Sequence, residues 1–369
     1  MDHPPLHPAG PLTGLRVVEF AGIGPGPFAC MLLSDMGADV VTVDRPDRKL
    51  GDRQNIVGRG RSVVQADLKD PAARARVLAL LAQADVLVEG CRPGVMERLG
   101  LGPDAVAALN PRLVYGRITG WGQTGPLAKA AGHDINYIAL TGALHAIGPK
   151  DGPPSPPLNL VGDYAGGSLY LVSGILAALH ERQRSGRGQV VDAAITDGTI
   201  SLMSTFATMA LRGSFVEQRG SNLLDGGAPY YGSYLTADSE YVSIGPIEPQ
   251  FFAQLCERIG VAEHLRGSQG DRAAWPALRS EFERLFAMRT QAQWCELLEG
   301  SDACFAPVLP LSQACEHPHN RARAAFVDVQ GVVQPAPAPR FSRTPSQVQG
   351  LAPTQASTVE AVLQRWPAG

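Results

Sequence analysis

The first 122 residues alternate strand-length apolar runs with helix-patterned segments, and few folds accept that alternation. LRVVEF (15–20) reads as a buried strand, GIGPGP (22–27) as a loop and FACMLLSDMGA (28–38) as a helix. DVVTVD (39–44) is a second strand. SVVQADL (62–68) is a third, followed by a helix-like run after Pro71. ADVLVEG (84–90) and RLVYGRITGWG (112–122) are the fourth and fifth. Continuous rather than alternating apolar strands are those buried on both faces, and helices between them give βαβ units. The expected fold is α/β, with a Rossmann-like large domain built on a parallel sheet.

Two Gly-flanked segments then each open a helix, AGHDINYIALTGALHAIG (131–148) and VGDYAGGSLYLVSGILAALHERQRSGRG (161–188). In the second, Leu169, Val172, Ile175, Leu176 and Leu179 recur at helical spacing and predict one buried face. Its basic end and glycines form a stop signal. VVDAAITDG (190–198) is expected to begin a helix running to Arg212. LDGGAPYYGSYLTADSEYVSIG (224–245) has hairpin character. Helices are expected near 249–259, 272–287 and 290–298, giving a smaller α/β domain. QPAPAPRFSRTPS (334–346) reads as an extended Pro-rich strap. The predicted organisation is a large domain over 1–200 completed by 331–369, a linker over 201–224 and a small domain over 225–330.

Charge and composition remove several function classes. Lys and Arg number 32 against 35 Asp and Glu, so no basic field exists to hold a nucleic-acid backbone. None of the six cysteines forms a CxxC pair, and a secreted disulfide framework is not expected. MDHPPLHPAG has neither the basic nor the apolar region of a signal peptide, and the terminal RWPAG is not a peroxisomal address. The apolar stretch 169–179 is too short for a membrane span. A soluble, cytoplasmic protein with no membrane partner is expected.

Gly22, Gly24 and Gly26 follow a strand and precede a helix, the context of a dinucleotide fingerprint, but their spacing departs from G-x-G-x-x-G and Pro27 takes the third glycine's place. After Asp44, a run of Arg45, Arg48, Lys49, Arg53, Arg59 and Arg61 favours phosphate. A tight turn beside a solvated basic loop is the plainer reading. His133 in Gly-His-Asp and Asp163 in Gly-Asp-Tyr each sit where a helix begins. Each reads either as a cap or, where two helix N-termini converge on one pocket, as one half of a proton-transfer pair. In CEHPHN (315–320), Cys315, His317 and His319 are three metal-like side chains, and the segment reads as a surface turn. His145, His180, Met203 and Met209 read as structural.

The words of the sequence resemble the family III CoA-transferase superfamily in order along nearly the whole chain. The resemblance rests on PLTGLRVVEFAGIGPGPFACMLLSDMGADVVTVDRP, ADLK (66–69), EGCRPGVMERLGL (89–101), GRITGWGQTGP (116–126), AGHDINY (131–137), NLVGDYAGGS (159–168), GGAPYY (226–231) and PAPRFSRTP (337–345). Within it, AGHDINY is similar to the α-methylacyl-CoA racemase branch, because transferases characteristically lack the histidine. The resemblance implies that Arg45 and Ala66, Asp67, Leu68 and Lys69 hold the adenosine and 3′-phosphate of CoA. It puts Gly90, Cys91 and Arg92 on the pyrophosphate path with Arg98 nearby. Gly132, Asp134, Ile135, Asn136 and Tyr137 supply a further CoA contact around His133. It also implies an interlocked homodimer in which Glu248 reaches the catalytic pair from the second subunit. The implied activity is two-base interconversion of (2R)- and (2S)-2-methylacyl-CoA, with His133 and Asp163 exchanging protons through an enolate. CoA enters with the substrate, and no metal or redox cofactor is required. A transferase would instead use Asp163 as nucleophile. The sequence also admits a non-catalytic acyl-CoA binder on the same scaffold, or an NADP-dependent oxidoreductase resting on the imperfect glycine loop. Family members present a Met-rich acyl surface, and here the 195–215 segment has only Met203 and Met209.

Overall fold

Strands β1 (Arg16–Phe20), β2 (Asp39–Asp44), β3 (Arg61–Gln65), β4 (Val86–Glu89), β5 (Val114–Thr119) and β6 (Val190–Ala194) form one sheet in the order β3-β2-β1-β4-β5-β6. All neighbours are parallel, with Val17 opposite both Val40 and Val86 at the centre. The structure is a computed structural model and describes residues 9–366. The leader and C-terminal address readings rest in part on residues 1–8 and 367–369, which lie outside the described residues.

Period-two alternation sends successive valines to opposite sides of the sheet. Val18, Val41, Val43 and Leu87 pack with Leu80 and Leu81 of helix Pro71–Gln83 and with Trp366. Val17, Val40, Val86 and Val88 pack with Leu33 of helix Pro25–Asp35 and with Leu171 and Ile175 of helix Tyr170–Ser185. Both faces are therefore covered, which is why these strands are mainly apolar. The strand order reverses between β1 and β4. Chain leaving the carboxyl ends of those two strands diverges there and opens a crevice.

Two expectations are corrected. Residues 190–194 form the edge strand β6, paired with β5 from Tyr115↔Val190 to Thr119↔Ala194, and do not begin a helix. The helix starts at Ile195, stops at Leu202 and restarts over Ser204–Leu211. An edge strand half open to solvent tolerates the exposed Asp192. The second correction is the buried face of the long helix. Leu169 is 49% exposed and Leu171 takes its place in the core. Residues Leu160–Leu169 wind as a wide i→i+5 helix, which adds a residue per turn and rotates the face presented to the sheet. The continuous helix Leu160–Ser185 is by length and apolar composition able to cross a bilayer. Its Leu171, Val172, Ile175 and Ala178 are instead buried in this core. It ends as its sequence predicts, with Arg182 and Arg184 in the last turn and Gly186 at φ 73°.

Contacts divide the chain into two compact units. One comprises residues to 143, 157–204 and 323 onward; the other is Leu144–Pro156 with Thr205–Ala322. In the second, β7 (Gly232–Leu235) and β8 (Tyr241–Ile244) form the expected antiparallel hairpin, and β9 (Phe305–Val308), not foreseen, joins β8. Helices Pro249–Ile259, Trp275–Phe286 and Gln291–Leu298 cover it through an aromatic core of Tyr234, Phe252, Phe282, Phe286 and Trp294. The start of the Pro-rich strap forms β11 (Val332–Pro335), antiparallel to β10 (Phe326–Val329).

Candidate active site

The crevice at the carboxyl ends of the central strands is a cavity of about 780 Å³, entirely within the first unit. Gly22–Pro27 after β1, Gly90–Pro93 after β4 and Thr119–Trp121 at the end of β5 wall it. His133 and Asp163 both line it, from two different helix starts. The sequence brought neither to the other; the fold does.

His133 is the N-cap of helix Asp134–Ala139 through its backbone, which is extended at φ −131°. Its N–H donates to Asn136 Oδ1 at 3.0 Å, and the exposed His133 lines the cavity. Tyr137 braces this turn from behind. Its hydroxyl donates to the Gly132 carbonyl, and its ring meets Trp121 edge-on with centroids 4.8 Å apart. A Cβ at Gly120 or Gly132 would strike that ring.

Asp163 lies in the first turn of Leu160–Leu169, whose N-cap is Asn159, so its carboxylate is not spent on capping. Asn159 Nδ2 donates to Asp163 Oδ2 at 3.3 Å. Burial pushes the Asp163 carboxyl above the usual carboxylate range and the charge of Asp134 adds to it, while the Asn159 hydrogen bond and His133 oppose the rise. The wide helical turn is held by Ser168, whose Oγ donates to the carbonyls of Pro25 (2.7 Å) and Asp163 (3.0 Å). The segment also crosses helix Ile195–Leu202 so closely that a Cβ at Gly166 or Gly198 would strike its neighbour.

A second cavity of about 690 Å³ is lined by Arg45, Ala66, Asp67, Leu68, Lys69 and Cys91 among others. It shares Phe20, Gly22, Ile23 and Cys91 with the first, so the two cavities are adjacent. Gly90, Cys91 and Arg92 lie on the wall of the first cavity. The Cys91 thiol is pushed up to about 11, chiefly by burial, and is not a ready nucleophile.

The other residues singled out in the sequence lie elsewhere. Arg98 is exposed and lines neither cavity. Gly132, Asn136 and Tyr137 line the first cavity, but Asp134 and Ile135 do not. Glu248 is in the second unit, as the exposed N-cap of helix Pro249–Ile259. Of the basic run, Arg59 and Arg61 are not free for phosphate. Arg59 Nη2 pairs with buried Asp35 at 2.5 Å, and Arg61 Nη1 with buried Glu19 at 2.5 Å. Among the described residues, no group of three or more His, Cys, Asp or Glu is arranged to hold a metal ion.

Sequence reasoning passed over one buried ion pair. Arg117 on β5 stands in register with Glu89 on β4, and its Nε donates to Glu89 Oε1 at 2.7 Å. Glu89 Oε2 accepts the Cys91 N–H at 2.6 Å, so the pair fixes the turn that walls the cavity. A charged residue inside each of two apolar strands was the available signal.

Residues 12–357 match the family model CoA-transferase family III. The chain belongs to that family. The family III likeness extends to an alpha-methylacyl-CoA racemase of Mus musculus, 46% identical over 91% of this chain and 87% of the relative. The corresponding figures for an alpha-methylacyl-CoA racemase of Homo sapiens are 43%, 91% and 87%. A solved family III structure, a CAIB/BAIF family protein from Brucella suis, superposes with a TM-score of 0.80 at 26% identity, covering 97% of this chain and 100% of that one.

Proposed function

We propose that this protein interconverts (2R)- and (2S)-2-methylacyl-CoA thioesters by transfer of the C2 proton between His133 and Asp163. The observation that carries the reading is that an imidazole and a carboxyl of raised proton affinity line one cavity. The names of the mouse and human relatives support the same substrate class.

A thioester acidifies its α-hydrogen because its carbonyl accepts the electron pair as an enolate. In one direction neutral His133 takes the C2 proton; the C–H pair becomes the C1=C2 bond and the charge moves to oxygen. Protonated Asp163 then delivers a proton to C2 from the other side. In the reverse direction Asp163 is the base and imidazolium the acid. Each acid–base partner contributes about 10²–10⁴-fold. A carboxyl raised by burial suits this work better than an ordinary aspartate, which is almost wholly ionised at neutral pH.

CoA in this reading lays its adenosine end against Arg45 and Ala66–Lys69 and runs past Gly90–Arg92 toward the pair. The chemistry asks for no metal or redox group. An interlocked homodimer, with Glu248 of one copy reaching the pair of the other, and a cytoplasmic location belong to the same proposal.

The test is the fate of the 2-hydrogen. Incubation of (2S)-2-methylacyl-CoA in heavy water should give both epimers, each deuterated at C2. If label and configuration stay unchanged while CoA passes to an added free acid, Asp163 acts as an acylated nucleophile and the protein is a transferase.

A further inference from the structure

His133 and Asp134 are neighbours with opposite surroundings. The imidazole is exposed on the cavity wall; the carboxylate behind it is 8% exposed and off that wall. Asp134 Oδ2 accepts the backbone N–H of Asp163 at 2.6 Å. Its other oxygen, Oδ1, is buried without a partner. Gly162 has to be glycine for this approach, because a Cβ there would strike the Asp134 carboxylate.

We propose that Asp134 is a positioning residue that joins the two halves of the proton-transfer site. It ties the turn carrying Asp163 to the helix start carrying His133, and its fixed negative charge holds a proton on Asp163. The inference deepens the function proposed above and rests on its assignment of Asp163 as a proton carrier.

Two carboxyls share one half-buried region, and what separates them is their donors. Burial raises the proton affinity of both. Asp134 accepts a short backbone N–H bond from Asp163 at 2.6 Å, and the nearby Gly162 N–H also favours its ionised form, whereas Asp163 receives one side-chain amide at 3.3 Å. Of the two, the shorter donor bond therefore favours the charge on Asp134 and the proton on Asp163. The other groups around Asp163 do not reverse this. His133 and Tyr137 face it from the same helix as Asp134, and only His133 opposes the rise. On helix Pro25–Asp35, Cys30 is buried and Asp35 is paired with Arg59. Asp197 on the crossing helix is exposed, the glycine loop 22–26 carries no charge, and Arg92 lies on the cavity wall.

The substitutions Asp134→Asn and Asp134→Ala separate the two roles, since asparagine keeps an acceptor for the N–H groups and loses the charge. Two readouts are taken: epimerisation of each epimer across pH, and titration of the Asp163 carboxyl by carbon NMR of aspartate-labelled protein, with the signal assigned by its loss in Asp163→Asn. Asp134→Ala should lose about 10²-fold in kcat through misplacement of Asp163. Asp134→Asn should recover most of that loss, with KM for the acyl-CoA within about threefold of wild type. In Asp134→Asn the Asp163 carboxyl should titrate at lower pH, and the rate limb that needs its proton should move the same way. An Asp163 signal that titrates at the wild-type pH in Asp134→Asn overturns the electrostatic role, and wild-type kcat in Asp134→Ala overturns the positioning role. If wild-type protein exchanges no C2 hydrogen, the proposed function falls, while the Asp163 titration still decides what the Asp134 charge does.

Discussion

The α-carbon of Gly24 stands against the carboxylate of Asp163, so that a Cβ at position 24 would lie 2.8 Å from Oδ2. Gly24 holds φ 72° and ψ −118°, a conformation open to glycine, just before helix Pro25–Asp35. The glycine loop is therefore shaped around a side chain of its own protein. This gives a physical account of its failure to match a dinucleotide fingerprint. A pyrophosphate on this loop would meet a carboxylate where the fingerprint supplies a vacant backbone surface.

Gly24→Ala should be impaired twice. The backbone strain costs about 1–3 kcal/mol of stability, read by denaturant unfolding. The new methyl displaces the Asp163 carboxyl, and C2-hydrogen exchange should fall about 10²-fold. Unchanged exchange in a destabilised variant would separate the loop from the chemistry.

Asp163→Asn should trade activity for stability. Burial places the folded-state proton affinity of Asp163 above that of the unfolded chain, whose ordinary aspartate value is about 3.9. The native state then binds more protons than the unfolded state across that window, so wild-type stability falls as pH rises through it and stays lowered above it. The neutral amide has no such titration. The variant should be inactive in proton transfer yet melt higher than wild type near neutral pH, with the gain vanishing below about pH 3.9. Melting curves at about pH 7.5 and about pH 3.5, on either side of that window, check the sign. A variant less stable on the neutral side contradicts the burial argument.

Arg59 is structural, which its place in a basic run conceals. It is 2% exposed; its Nε donates to Asp35 Oδ1 at 3.0 Å, and its Nη1 to Gln334 Oε1 at 2.9 Å and to the Pro335 carbonyl at 2.7 Å. Arg59→Ala leaves Asp35 buried without its partner and should cost about 3–5 kcal/mol. Arg45→Ala, at an exposed position on the second cavity, should leave unfolding unchanged and raise only KM for the acyl-CoA. Equal loss of stability in both would remove the distinction.

The sheet was legible where burial on both faces left mainly apolar strands, as in β1, β2 and β4. It was not legible at β6, where the edge position admits Asp192 and the next helix begins without a break. The site residues His133 and Asp163 were visible as polar residues at helix starts, but their shared cavity depends on which strand ends lie side by side, a property of strand order rather than of local sequence. The bracing contact of Asp134 was not legible, because only the tertiary fold brings its carboxylate to the Asp163 N–H. The basic run misled for the opposite reason: a guanidinium buried against Asp35 or Glu19 has the same letter as one awaiting phosphate.

His133→Ala distinguishes two bases on opposite faces from one base serving both. With imidazole gone, the epimer whose C2 hydrogen faces Asp163 can still lose it to that carboxylate, and the same group can return a deuteron to the same face. That epimer should exchange label with retained configuration. The other epimer presents its hydrogen to the vacated face and should exchange at least about 10²-fold more slowly than in wild type. Interconversion of the two should be lost from either side, because each direction needs both groups. Chiral analysis of recovered thioesters together with deuterium content reads both quantities from one incubation. If both epimers wash in deuterium at the wild-type rate, or if interconversion survives at full rate, His133 is not the second base.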